Sequence, residues 1–287
     1  MINKLKWIGL VISIVCNTGI YAQQVSQSLT IGTSEVFFSK NLNENRIVNI
    51  YLPDGYDSSG QTKYPVIYIL DGGMQEDFVH LVGLVRFNAQ AWVNRVPESI
   101  VVGIENTNRR RDFTYAVENI DFVEKEGFKK EHFPQYGGSE KYIDFLEQEL
   151  QPFINKQYPT NHQNTLIGES LAGLLTTEIL LKRPYLFSTY IIISPSLWWG
   201  EQRLLNDAEK LLSGNLKYPV NIYIGAPAKE EDVKMYNEVE RLYHKVKPHK
   251  AAKVVFDYLP EESHATVSHQ AVSNAFKLLQ NLKTSKP

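Results

Sequence analysis

A lone serine stands among small residues in Gly168-Glu169-Ser170-Leu171-Ala172-Gly173. Thr165-Leu166-Ile167 precede it and a long apolar run follows. Serine is a poor helix-interior residue, because its hydroxyl competes for backbone hydrogen bonds. The pattern suits a strand that turns at once into a helix, with the hydroxyl at the tip of the corner. Small neighbours let the two elements approach. This is the layout of a nucleophile elbow. The backbone N–H groups after the corner point from the helix start toward the serine oxygen, where they can stabilise an oxyanion. The match is G-x-S-x-A-G, with Ala172 where a second glycine is usual.

A serine nucleophile needs a base. Of seven histidines, His80, His132 and His162 precede the serine. His244 and His249 lie among Lys245, Lys247 and Lys250 and read as solvated surface. His264, in Glu261-Glu262-Ser263-His264-Ala265, falls between the last expected strand and the last expected helix. It is the expected base, with His269 as the fallback. The orienting acid should follow the strand that ends near Ile224, in the order serine, acid, histidine. Glu230, Glu231 and Asp232 are the candidates, and three adjacent acids cannot all be buried; Glu230 is favoured. A second oxyanion donor should come from Asp71-Gly72-Gly73-Met74, where a glycine lets a backbone N–H come close. No spaced Asp, Glu or Cys accompanies His264 and His269, so neither a metal nor a cofactor is expected.

Holding these groups together requires a sheet. Residues 28–38 and 46–52 alternate enough to form an antiparallel pair. Short apolar runs at 64–70, 100–104, 165–167, 190–193, 220–224 and 253–259 read as strands. Helical spacing appears at 78–92, 139–158, 232–246 and 267–282. Unbroken apolar strands alternating with amphipathic helices predict an α/β fold: a mostly parallel sheet of about eight strands, covered by helices on both faces. One domain over residues 23–287 accommodates it. Ligands of such sheets sit at the carboxyl ends of the strands. Asp71, Glu105, Ser170, Ser194 and Gly225 all fall there.

The 287 residues are 43% hydrophobic and 22% charged, with a net charge of −2 and no basic block, so nucleic acid is not an expected partner. Lys4 and Lys6 precede the apolar run from Trp7 to Val15, and Ile20-Tyr21-Ala22 leads into Gln23. That is the layout of a cleavable signal peptide over residues 1–22. The run is too short for a permanent membrane anchor. A periplasmic or secreted protein is expected. Removing two lysines and no acids would take the net charge from −2 to −4. The one cysteine, Cys16, lies inside that segment behind the bulky Val15, which disfavours a lipid anchor there. The mature chain would then have neither disulfide nor cysteine nucleophile.

The chain resembles the putative-esterase family of α/β-hydrolases. That group holds enterochelin and other ferri-siderophore esterases, feruloyl and acetyl-xylan esterases, and mycolyltransferases. The resemblance runs through Tyr51-Leu52-Pro53-Asp54-Gly55-Tyr56, Ile69-Leu70-Asp71-Gly72, Val101-Val102-Gly103-Ile104-Glu105-Asn106, Arg111-Asp112-Phe113-Thr114, the serine corner, Ser194-Pro195-Ser196-Leu197-Trp198-Trp199 and Ser263-His264-Ala265. It implies an α/β-hydrolase fold and a serine esterase, with Ser170 as nucleophile, His264 as base, and the backbone of Gly73 and Leu171 as the oxyanion hole. The Ser-Pro-Ser-Leu-Trp-Trp and Arg-Asp-Phe-Thr stretches point to the siderophore-esterase branch, hence to a small-molecule ester, a ferri-siderophore among them. Glu169 departs from the histidine most common at that place. Some relatives work with a Ser-His dyad, which leaves the acid dispensable. Arg111 is expected to pair with a carboxylate, leaving Arg109 or Arg110 to face the pocket, with Trp198 and Trp199 as an aromatic wall. On those contacts the enzyme should prefer anionic or aromatic esters. The rival readings are a carbohydrate-ester hydrolase and a non-catalytic binder on the same fold; a binder has no need of both Ser170 and His264.

Overall fold

Tyr64–Leu70 is buried along nearly its whole length, and its side chains part between two apolar layers. Val66, Tyr68 and Leu70 join one layer; Ile67 and Ile69 join the other. A strand alternates its side chains between two faces, so a strand buried on both must lie inside a sheet covered twice. The computed structural model, which describes residues 28–284, shows that sheet. Residues 1–30 and 31–287 divide as separate units, and the sheet belongs to the second. The expected signal peptide lies outside the described residues.

Eight strands form one sheet: β1 (Thr33–Ser39), β2 (Glu44–Tyr51), β3 (Tyr64–Leu70), β4 (Ile100–Ile104), β5 (Thr160–Glu169), β6 (Thr189–Ile193), β7 (Val220–Ala226) and β8 (Ala252–Tyr258). Their order is β1-β2-β4-β3-β5-β6-β7-β8. The pairs β1/β2 and β2/β4 are antiparallel, and the rest are parallel. The expected architecture is therefore present. One face is covered by the helix Leu171–Lys182 and the helix Val233–Val246, the other by Phe78–Ala89 and Val267–Thr284.

Three differences from the expected elements have local causes. The helix from Phe78 stops at Ala89, because the returning chain places the N–H groups of Arg95 and Val96 on the carbonyl of Asn88. The helical run over residues 139–157 contains a π turn, Leu146–Leu150, just before Pro152, which has no N–H to continue an α pattern. A five-residue helix, Arg109–Phe113, for which no element was expected, takes up the arginine run.

Arg46 of β2 is wholly buried, and a buried charge must be paired. Its guanidinium meets Glu44 at 2.8 Å, buried Asp112 at 2.9 Å and the Glu105 carbonyl at 2.9 Å. The Tyr142 and Phe145 rings lie against it. Arg111 closes the network on Glu44 and Asp112. These bonds fix the helix Arg109–Phe113 against β2, beside the carboxyl end of β3. Among the described residues no helix is long and apolar enough to cross a membrane.

Candidate active site

Ser170 stands between β5 and the helix Leu171–Lys182 with φ 59° and ψ −119°. A side chain at positive φ is strained by about 1–3 kcal/mol and persists only where its surroundings hold it. The surroundings here are glycines. A Cβ on Gly168 would lie 2.4 Å from the Ala172 carbonyl and the Thr176 hydroxyl; on Gly173 it would lie 2.8 Å from the Ile193 carbonyl. The corner closes only because both are bare. Ser170 N–H donates to the Ile193 carbonyl at 3.1 Å, tying the corner to β6.

Ser170 Oγ and His264 Nε2 are 3.1 Å apart, so the expected nucleophile and base are hydrogen bonded. The imidazole hangs from the loop between β8 and the helix Val267–Thr284. His264 Nδ1 faces the hydroxyl of Ser194 at 2.9 Å. Burial of the half-exposed ring pulls its pKa below the ordinary value; Glu231 and Asp232 oppose the shift and Arg109 reinforces it. The ring therefore gives up its proton more readily than a free imidazole does.

The expected acid requires correction. Glu230 lies 3.5 Å from the Tyr258 hydroxyl. Glu231 accepts the backbone N–H of His264 at 2.6 Å, and Asp232 caps the helix Val233–Val246 by accepting from Met235 N–H at 2.9 Å. Among the described residues none of the three is hydrogen bonded to the ring. The helix start claims one carboxylate and the base loop's backbone another, so Ser194 is left on Nδ1. Its place after β6 was the signal available for it in the sequence.

The expected substrate contacts also need correction. Arg109 is spent on a bidentate pair with Asp71, at 2.7 and 2.8 Å. Arg110 lies over the Phe133 ring and donates to the His132 carbonyl. Trp199 is fully buried, its indole N–H donating to the Tyr115 carbonyl at 2.9 Å, and Trp198 is 6% exposed in the same aromatic cluster. Both tryptophans pack among Phe122 and Phe133 in the core, and neither lines the cleft beside His264.

Gly73 N–H donates to Glu76 Oε2 at 2.7 Å, and Asn106 holds the other oxygen of that carboxylate at 2.7 Å. This expected oxyanion donor is therefore covered until Glu76 moves aside. Leu171, the other expected donor, opens the helix directly behind Ser170.

Glu169 Oε1 lies 3.2 Å from His264 Nε2, within ion-pair distance but outside hydrogen-bonding geometry. Burial raises the Glu169 pKa to about 8; Asp71 and Asp77 add to the rise and Arg109 opposes it. At neutral pH it is mostly a carboxylic acid. Beside it opens a cleft of about 530 Å³, lined by Asp77, His80, Glu169, His264, Thr266 and His269 among others. Among the described residues no group of three or more His, Cys, Asp or Glu is placed to hold a metal ion.

The profile of the Putative esterase family matches residues 39–281. The chain is 30% identical over 269 residues to Ferri-bacillibactin esterase BesA of Bacillus subtilis, covering 88% of this chain and 91% of that protein. An IroE-like serine hydrolase from Shewanella oneidensis superposes with a TM-score of 0.78 at 29% identity, over 89% of this chain and 82% of that one. The BES protein from Bacillus cereus superposes at 0.76 with 26% identity, over 91% and 99% of the two chains.

Proposed function

This chain belongs to the Putative esterase family, a carboxylic-ester hydrolase on the α/β-hydrolase fold, and from that premise we propose that it cleaves siderophore esters by a serine mechanism. The observation that carries the mechanism is the 3.1 Å hydrogen bond from the strained Ser170 to His264 Nε2. Ser170 Oγ attacks the ester carbonyl carbon as its proton passes to Nε2. The tetrahedral oxyanion is held by the N–H groups of Gly73 and Leu171, once Glu76 has swung aside. Collapse expels the alcohol, which takes the proton back from Nε2. Water then repeats the sequence on the acyl-enzyme and releases the acid.

The substrate class rests on the relatives, since Arg109 and Arg110 are engaged elsewhere. A panel of ferri-siderophore esters, feruloylated sugars and acetylated sugars tests it. The highest kcat/KM is expected on a ferri-siderophore ester. A preference for sugar esters would favour the carbohydrate-ester reading instead. The same proposal places the enzyme outside the cytoplasm, on the basic and apolar layout of residues 4–22. N-terminal sequencing of the protein from its native source is expected to begin at Gln23; a start at Cys16 carrying lipid would overturn that.

A further inference from the structure

A carboxylate on Nδ1 pins the imidazole proton there and leaves Nε2 free to accept from serine; losing that control costs about 10⁴ in rate. In this chain Nδ1 faces a hydroxyl, Ser194 Oγ. A hydroxyl accepts from Nδ1–H or donates to a bare Nδ1 equally well. The only other acceptor found for that hydroxyl among the described residues is Met235 Sδ at 3.1 Å, and a thioether is a weak acceptor, so that side holds the tautomer only weakly. The carboxyl that reaches the ring is Glu169, on the reacting nitrogen, 3.2 Å from Nε2.

We propose that Glu169 is a further catalytic residue of this esterase: it must be an un-ionised carboxylic acid for His264 to serve as base. This rests on Ser170 and His264 being nucleophile and base. With Glu169 protonated, Nδ1–H donates to Ser194 and the Nε2 lone pair accepts from Ser170. When Glu169 ionises, its proton goes to solvent. The imidazole proton then moves from Nδ1 to Nε2, where it donates to the carboxylate once that group has turned into line from 3.2 Å away, and the Ser194 hydroxyl leaves Met235 Sδ to donate to Nδ1. No further proton is exchanged, but Nε2 can no longer accept from Ser170.

The surroundings favour the un-ionised acid. Burial is the main cause of the raised pKa of Glu169, and Asp71 after β3 and Asp77 before the helix Phe78–Ala89 add to it. His80 and His269 line the same cleft, stacked on one another; burial and the charge of His269 depress the pKa of His80. Arg109, paired with Asp71, is the cation that opposes the rise, and burial outweighs it. No hydrogen bond satisfies Glu169 Oε1 among the described residues, so a partner at Nε2 is open to it.

Labelling of Ser170 by a neutral organophosphonate, followed by mass spectrometry across pH 5–10, tests this without an ester substrate. The labelled residue tests the serine mechanism: an adduct elsewhere refutes that reading. The pH profile tests the present proposal. In the wild type the labelling rate should rise as His264 loses its proton, then fall through about pH 8. Glu169→Gln has no proton to lose and should keep the acid limb but lose the alkaline fall. At pH 9.5 it should label about 30-fold faster than the wild type, the factor for one proton lost near pH 8. An alkaline fall unchanged by Glu169→Gln overturns the proposal. For a variant that does not fold, ¹⁵N shifts of His264 in the wild type give the answer directly. The ring proton should pass from Nδ1 to Nε2 above about pH 8; a proton that stays on Nδ1 at pH 9.5 overturns it.

Discussion

Ser170→Ala is expected to lower kcat by about 10⁴-fold or more, because the covalent step disappears while binding and the oxyanion donors remain. The fold should survive. Alanine at φ 59° carries the same backbone strain as serine, and the hydroxyl is not a structural tie: its contacts are His264 at 3.1 Å and Ser196 at 3.4 Å. Thermal unfolding of the variant should match the wild type within a few degrees, and an organophosphonate should leave no adduct. Retention of a tenth or more of wild-type kcat would mean that Ser170 is not the nucleophile.

Asp112→Ala is expected to give the largest loss of stability. It removes one carboxylate from a guanidinium with no exposure to water, and Arg46 is left with Glu44 and a single carbonyl. Breaking a buried ion pair from one side costs about 3–5 kcal/mol. In a domain of this size that lowers Tm by roughly 6–20 °C. Asp112→Asn keeps an acceptor for Arg46 and should cost less. The damage should reach the site, because the same carboxylate steadies the short helix that carries Arg109 to Asp71. If Asp112→Ala shifted Tm by less than about 2 °C, the network would be incidental to the fold.

The sheet was legible because parallel strands buried on both faces read as unbroken apolar runs, and Tyr64–Leu70 and Ile100–Ile104 are such runs. Ser170 and His264 were legible because strand, corner and helix follow in order around one, and last strand and last helix bracket the other. The acid was not. Glu230, Glu231 and Asp232 are adjacent in sequence, and the path of one loop decides that one meets a tyrosine, one a backbone N–H and one a helix start. The arginines failed for a related reason. Successive residues of a helix point about 100° apart, so Arg109, Arg110 and Arg111 diverge to Asp71, Phe133 and Glu44. A run of like charges could be read as a loop facing a ligand only while that helix was unseen. Trp198 and Trp199 look like a binding wall in sequence, but the second had a carbonyl partner waiting in the core.

The positive φ of Ser170 also bears on how such a protein changes over generations. Glycine adopts that backbone angle freely. A codon change from serine to glycine here would relieve strain while removing the hydroxyl that the proposed mechanism uses. Catalysis and folding stability therefore pull this one position in opposite directions. A lineage freed from the need to turn over ester would drift toward a sturdier chain with the same cleft and no chemistry. Under the serine mechanism proposed above, serine at this corner is kept against a backbone preference for glycine.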